Sequence, residues 1–339
     1  MYLLNNNDLT VSEVEMTTFR SINWREVDVE ELLRKNIELI CDEDESFLIV
    51  GKQIRNSAGG QSDLTAIDNH GNFVLIEIKR DRNDICQRRE AFEFQAIRYA
   101  ASYATIRTKE ELIDKIYAQY VERFRNEFLF NPETTSREVA QRELKEFFQQ
   151  NGIQEFNRSQ RIVLVASEFD SQTLSAVAWL INRNVDISCI SLTPFVCPDD
   201  NDRRIFLKVK KVLPLPEYED FLVDFAPGSQ RPRSNRPMQP ITRRSLPKIR
   251  EMLEWGIVQA GDELHAKDFP EKRAILLSNG NVKPLNSENA VSLQHWLKEV
   301  YSWGSVATYA FTVASSCGKT LSALRAEYLS TQENATEQS

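Results

Sequence analysis

The sequence predicts an α/β protein with a mixed central sheet flanked by helices, followed by a second, smaller α+β domain. Three observations predict it. Residues 161–190 read as strand, helix, strand, the order of a crossover between parallel strands. Residues 63–79 read as two strands joined by a tight turn. Residues 226–240 hold Pro227, Pro232, Pro237 and Pro240 among glycine, serine and arginine, which is linker composition. At 339 residues the chain is long enough for two cores.

The elements follow in order. The first twenty-odd residues are polar and weakly patterned. Across 27–41, Val29, Leu32, Leu33, Ile37 and Ile40 recur at helical spacing and predict one amphipathic helix. Residues 47–51 read as a short strand and 57–60 as a loop. The hairpin of 63–67 and 74–79 turns through Asp68-Asn69-His70-Gly71, which are good turn residues. Residues 90–104 read as a helix with a buried stripe of Phe94, Ile97 and Ala101. The charged stretch 108–150 carries Leu112, Ile116, Tyr120 and Phe124 at helical spacing. The apolar run 161–166 predicts a buried strand, 171–183 a helix, and 185–190 and 204–212 further strands. Beyond the linker, 246–254 reads as a helix, and 274–277 with 281–285 as a hairpin about Ser278-Asn279-Gly280. Residues 291–300 and 320–328 read as helices. The expected division is a domain over 1–222 with a helical insert near 105–155, a linker over 223–241, a domain over 242–330 and a disordered tail over 331–339.

Composition narrows the function classes. Apolar residues make up 41%, ordinary for a globular chain, and no run of about 18 apolar residues suggests a membrane span. The first residues lack the pattern of a secretory signal, and five cysteines without a C-x-x-C pair suit a reducing, cytoplasmic setting and argue against structural zinc. With three histidines, a His-rich metal site or His-based hydrolase is not expected, and oxygen ligands favour Mg²⁺ or Mn²⁺. The net charge of −8 means that any contact with phosphate must be local. Arg231, Arg233, Arg236, Arg243, Arg244, Lys248 and Arg250 form a tract with no acidic residue, suited either to a nucleic-acid backbone or to a solubilising linker.

The chemistry centres on Asp63, Glu77 and Lys79. Strand alternation puts Glu77 and Lys79 on one face, with Val74, Ile76 and Ile78 on the other. A hairpin of this length can return Asp63 to the neighbourhood of Glu77. Two acids so close repel unless a cation lies between them, and a divalent ion with oxygen preference answers that need. The bland alternative is a solvated strand face with a weak ion pair.

With these residues in place, the first half resembles the PD-(D/E)XK nuclease superfamily, in particular NucS-type and related restriction-endonuclease-like proteins. Glu30 lies six residues before Asn36 on the first helix, where those families carry an acidic ligand, and Glu31 beside it leaves that ligand ambiguous by one position. Ser62-Asp63-Leu64-Thr65-Ala66-Ile67-Asp68 resembles their DLLAVD strand, and Phe94-Gln95-Ala96-Ile97-Arg98-Tyr99-Ala100 their QALRYA helix. Ile37 stands where relatives often have proline. The resemblance is firm over 27–104. It implies a restriction-endonuclease-like fold whose metal is held by Asp63, Glu77, the Ile78 carbonyl and Glu30, with Lys79 and Gln95 completing the catalytic set. It also implies Mg²⁺- or Mn²⁺-dependent hydrolysis of DNA in restriction or defence, by a homodimer. A non-cleaving nucleic-acid-binding protein on the same fold and an RNA-directed nuclease stand as alternatives.

Residues 241–328 are similar to the RAMA module, on Leu253–Leu264, Asn279-Gly280, Ser302-Trp303-Gly304 and Leu321–Arg325. That resemblance implies DNA recognition. Trp303 either stacks on a base or anchors the small core, the latter being favoured because buried aromatics dominate small domains.

Overall fold

The computed structural model describes residues 2–4, 9, 11–56, 60–86, 90–131, 133–197, 204–214 and 247–337. The chain divides into two units: residues 1–40 with 48–231, and residues 41–47 with 232–339. The second boundary falls inside the expected linker, all of which lies outside the described residues. The same is true of Arg231, Arg233, Arg236, Arg243 and Arg244. Among the described residues, no helix is long and apolar enough to cross a membrane.

The first unit is a mixed α/β structure. It begins with a small antiparallel pair, β1 (Tyr2–Leu4) and β2 (Val11–Glu13). Strand β3 (Glu15–Met16) joins the main sheet, so the weakly patterned start contributes an edge that the sequence did not advertise. The helix expected over 27–41 is two pieces, α1 (Glu26–Lys35) and a 3₁₀ turn Ile37–Ile40. The break is local. Asn36 leaves helical geometry, and its side-chain amide donates to the Leu32 carbonyl at 2.9 Å. Val29, Leu33, Ile37 and Ile40 are buried as their spacing requires.

Strands β4 (Phe47–Arg55), β5 (Gln61–Asp68) and β6 (Phe73–Lys79) follow. β5 and β6 pair antiparallel, with Leu64 opposite Ile76 and Ile67 opposite Phe73. Asp68 builds their turn by accepting the His70 and Asn72 amides on one carboxylate oxygen. Gly71 has φ +82°, and a side chain there would run into the Glu155 carbonyl, so glycine is required.

Beyond α2 (Arg82–Cys86) comes α3 (Phe92–Tyr103). Its buried stripe is Phe92, Ala96, Tyr99, Ala100 and Tyr103, not the expected set. Phe94 is 60% exposed and Ala101 faces solvent. Both stripes have helical period. The polar ends of Tyr99 and Tyr103 decide between them, because Tyr99 accepts the Gln61 amide and Tyr103 bonds Ser62 and Thr65, drawing that face onto β5.

The insert is helical as expected, with α4 (Lys109–Leu112), a π turn, α5 (Ala118–Arg123) and α6 (Ser136–Gln150). Strand β7 (Gln160–Ala166), α7 (Ser171–Ile181), β8 (Ile187–Val196) and β9 (Ile205–Leu213) complete the unit. The sheet order is β3-β8-β7-β6-β5-β4, with β9 also paired to β8. β6, β7 and β8 run parallel, as the strand–helix–strand reading requires, while β5 and β9 run antiparallel to their neighbours. β6 is therefore central, and all seven of its residues are buried.

The second unit contains α8 (Ile249–Glu254), β10 (Glu263–Ala266), β11 (Phe269–Leu276), β12 (Asn281–Pro284), β13 (Val291–Ser292), α9 (Leu293–Tyr301), α10 (Thr308–Phe311), β14 (Thr312–Ala314), β15 (Lys319–Thr320) and α11 (Leu321–Glu337). Its antiparallel sheet runs β13-β12-β11-β10-β14-β15. The hairpin about Asn279-Gly280 forms in the expected place. α11 continues to Glu337 where a disordered tail was expected, in keeping with a segment free of proline and glycine.

Residues 41–47 were expected to belong to the first domain. They instead form a strap within the second unit. Arg325 donates to both oxygens of Asp44 at 2.8 and 2.9 Å, Tyr309 donates to Glu43, and Ser305 Oγ accepts the Phe47 amide at 2.7 Å. Three residues within five positions thus find fixed partners about 260 to 280 residues later, a pairing that no local pattern announces.

Candidate metal centre

Helix α1 and the end of the β5–β6 hairpin bring the acids together. Glu26 and Glu30 are one turn apart on α1 and share a face. Asp63 sits on β5 just before the last registered pair, and its Oδ2 accepts the Ile78 amide at 2.7 Å. One oxygen each from Glu26, Glu30 and Asp63 lies within 4.8 Å of the others. Octahedral Mg²⁺ with bonds of about 2.1 Å puts neighbouring oxygens about 3.0 Å apart and opposite ones about 4.2 Å apart, so carboxylates spread over up to 4.8 Å would draw together on binding. All-oxygen donors at this spacing fit Mg²⁺ or Mn²⁺.

Lys79 lies among the acids. Its Nζ is 3.4 Å from Glu26 Oε1, 3.7 Å from Asp63 Oδ2 and 3.4 Å from Glu77 Oε1. It donates to the Ile78 carbonyl at 2.7 Å and stands 5.3 Å from the centre of the Phe92 ring. Lys79 and Glu77 are 1% and 0% exposed, so this ammonium is a fixed, buried charge shared among carboxylates. Glu26 is the accessible member of the group, with its side chain 31% exposed.

The electrostatics show how crowded the acids are. Burial and the neighbouring Asp63 push the Glu30 carboxyl up to about 7, against the pull of Lys52 and Gln53. Glu31 is held down to about 2 by hydrogen bonds from Arg34 and Lys52. The two adjacent acids of the helix part company: Glu30 faces Asp63, and Glu31 turns to Arg34, 2.7 Å away.

Of the expected ligands, the Ile78 carbonyl accepts from Lys79, and Glu77 is buried beside the same ammonium. Glu26, which the sequence did not single out, joins Glu30 and Asp63 in the acid cluster. Apolar periodicity starts the helix at position 27, one residue late, and so passes over an acid four residues before Glu30. Gln95 is half-buried on α3 and donates to Tyr99 at 3.4 Å, and Tyr99 accepts the Gln61 amide two residues ahead of Asp63. It braces β5 through that chain.

In the second unit, Trp303 is half-buried, with its ring centre 4.6 Å from Tyr301 and 5.4 Å from Phe311. It packs with the small core, the favoured of the two readings. Of the described members of the basic tract, Arg250 donates to the Asn279 carbonyl at 3.2 Å and Lys248 lies 3.8 Å from Asp42.

No protein-family model matches this chain, and no curated protein matches it.

Proposed function

We propose that this protein is a metal-dependent endonuclease that hydrolyses phosphodiester bonds in DNA, serving restriction or defence. On this reading the first unit has a restriction-endonuclease-like fold and the second is a RAMA-like module that contributes DNA recognition. One observation carries the proposal: Glu26, Glu30 and Asp63 gather their oxygens within 4.8 Å while the buried Lys79 reaches toward Glu26, Asp63 and Glu77. These acids and Glu77 share one close ammonium, with Lys52 and Arg80 acting on Glu30 and Glu26, and a divalent cation would complete the cluster.

Glu26, Glu30 and Asp63 would hold Mg²⁺ or Mn²⁺. When bound, the cation makes a water more acidic and offsets charge building on the scissile phosphate. Asp63 is presented by its bond from the Ile78 amide, which fixes the carboxylate against β6. Lys79 supplies a point positive charge where negative charge develops on a phosphate oxygen. Glu77 and the Ile78 carbonyl hold that ammonium in place, so no reorganisation is needed during reaction. The exposed side of Glu26 is the side from which a phosphate would approach. Cutting both strands calls for two such sites, hence a homodimer.

Purified protein with Mg²⁺ is expected to nick and then linearise plasmid DNA, and chelation, Asp63→Asn or Glu30→Gln should abolish this with folding retained. Cleavage that persists in Asp63→Asn refutes the site. Cleavage of RNA with DNA left intact refutes the substrate.

A further inference from the structure

Strand β4 departs from regular geometry past its buried residues Val50, Gly51 and Lys52. At the next residue, Gln53, φ is +56°, in the left-handed region that a non-glycine residue seldom occupies. In a regular strand the side chains of Lys52 and Gln53 would point to opposite faces. Here both reach α1. Lys52 Nζ donates to Glu31 Oε2 at 2.7 Å, and Gln53 Nε2 donates to Glu30 Oε2 at 3.0 Å.

We propose that this kink makes Gln53 a positioning residue for the metal centre, a role resting on the reading of Glu26, Glu30 and Asp63 as metal ligands. The left-handed turn swings the amide onto Glu30 and fixes the orientation of its carboxylate. The choice of an amide matters. A hydrogen bond from a neutral donor orients Glu30 without cancelling its charge, whereas an ammonium would pair with it and compete with the metal. Backbone strain retained at a point of contact with a functional carboxylate is what such a role calls for. The Lys52 ammonium is kept off that position by its contact with Glu31.

The test separates the amide from the turn. Gln53→Gly removes the amide and relaxes the backbone, since glycine adopts φ +56° freely. Gln53→Ala removes the amide and keeps the strain. Mn²⁺ binding to the full-length protein, followed by its electron paramagnetic resonance signal, is expected to weaken about tenfold or more in both variants, as loss of a group that orients a ligand typically does. Thermal melting without metal should hold or rise in Gln53→Gly. Mn²⁺ affinity at the wild-type level in a folded Gln53→Gly, with affinity lost in Asp63→Asn, overturns the role of Gln53 alone. Wild-type protein that binds no Mn²⁺, or binds it no better than Asp63→Asn, overturns the metal reading and this inference together. Should Gln53→Gly fail to fold, Mn²⁺ affinity in Gln53→Ala decides both questions in the same way.

Discussion

Glu30 and Glu31 leave the same turn of α1 and enter two different ionic clusters. Glu31 meets Arg34, whose guanidinium is 3% exposed, donates to both oxygens of Glu127 at 2.6 Å, bonds Tyr120 and lies 3.9 Å over the Phe124 ring. Cation and anion are matched there, every contact is short, and α1 is pinned to the helical insert. Glu30 meets Asp63 and Glu26, with Lys79 reaching the acids at 3.4 to 3.7 Å. That side has one close ammonium for several acids, with Lys52 and Arg80 acting on Glu30 and Glu26. The difference teaches how to tell two kinds of buried ionic cluster apart: a balanced one holds structure together, and one with surplus charge of a single sign is held together by structure until a counter-ion arrives.

The largest effect is expected on the balanced side. Arg34→Ala removes a buried guanidinium from Glu127, Tyr120 and Glu31, which keeps Lys52, and should lower the unfolding free energy by about 3 kcal/mol in urea; a loss below about 1 kcal/mol would remove the contrast. Next, Asp63→Asn should cut phosphodiester cleavage by at least about 10²-fold, the scale for losing a group that stabilises the reacting charge. Its metal-free stability should hold or rise, because one like charge has been removed. Third, saturating Mn²⁺ should stabilise the wild type by about 2.7 kcal/mol at a hundredfold excess over Kd. Glu30→Gln should lose that gain, and Glu31→Gln should keep it. An equal loss in the two variants would erase the distinction between the faces of α1.

The smallest effect concerns pH. The Glu30 carboxyl is raised from 4.5 to about 7, so the folded protein favours its protonated form. Its stabilising share is present in full below pH 4.5 and is lost as pH rises to about 7. Metal-free wild type should therefore weaken across that window by on the order of 2 kcal/mol relative to Glu30→Gln. Parallel stability curves for the two proteins would show that Glu30 is not crowded.

Much of this was legible in the chain. The hairpin over 63–79 follows from alternation and an Asp-Asn-His-Gly turn, and its register alone returns Asp63 to the Glu77 end of β6. The parallel run from β7 to β8 follows from strand, helix, strand. Glu26 was within reach of the same logic, being one turn from Glu30, and was missed only through a boundary set one residue late. The stripe of α3 was not legible, because Phe94-Ile97-Ala101 and Phe92-Ala96-Tyr99-Tyr103 are both helical, and only β5 hydroxyls and amides choose between them.

What the sequence determined by itself is the β5–β6 hairpin, the β7–α7–β8 run and the acids and lysine at the end of that hairpin, since hydrophobic period and turn chemistry act over a few residues. The tertiary structure decided which of two adjacent glutamates joins Glu26 and Asp63, that Gln53 turns against its strand to meet it, and that residues 41–47 serve the second unit. Each depends on charges and hydrogen-bond partners far apart in the chain, where Coulomb attraction and desolvation respond to distance in space and not to spacing in sequence.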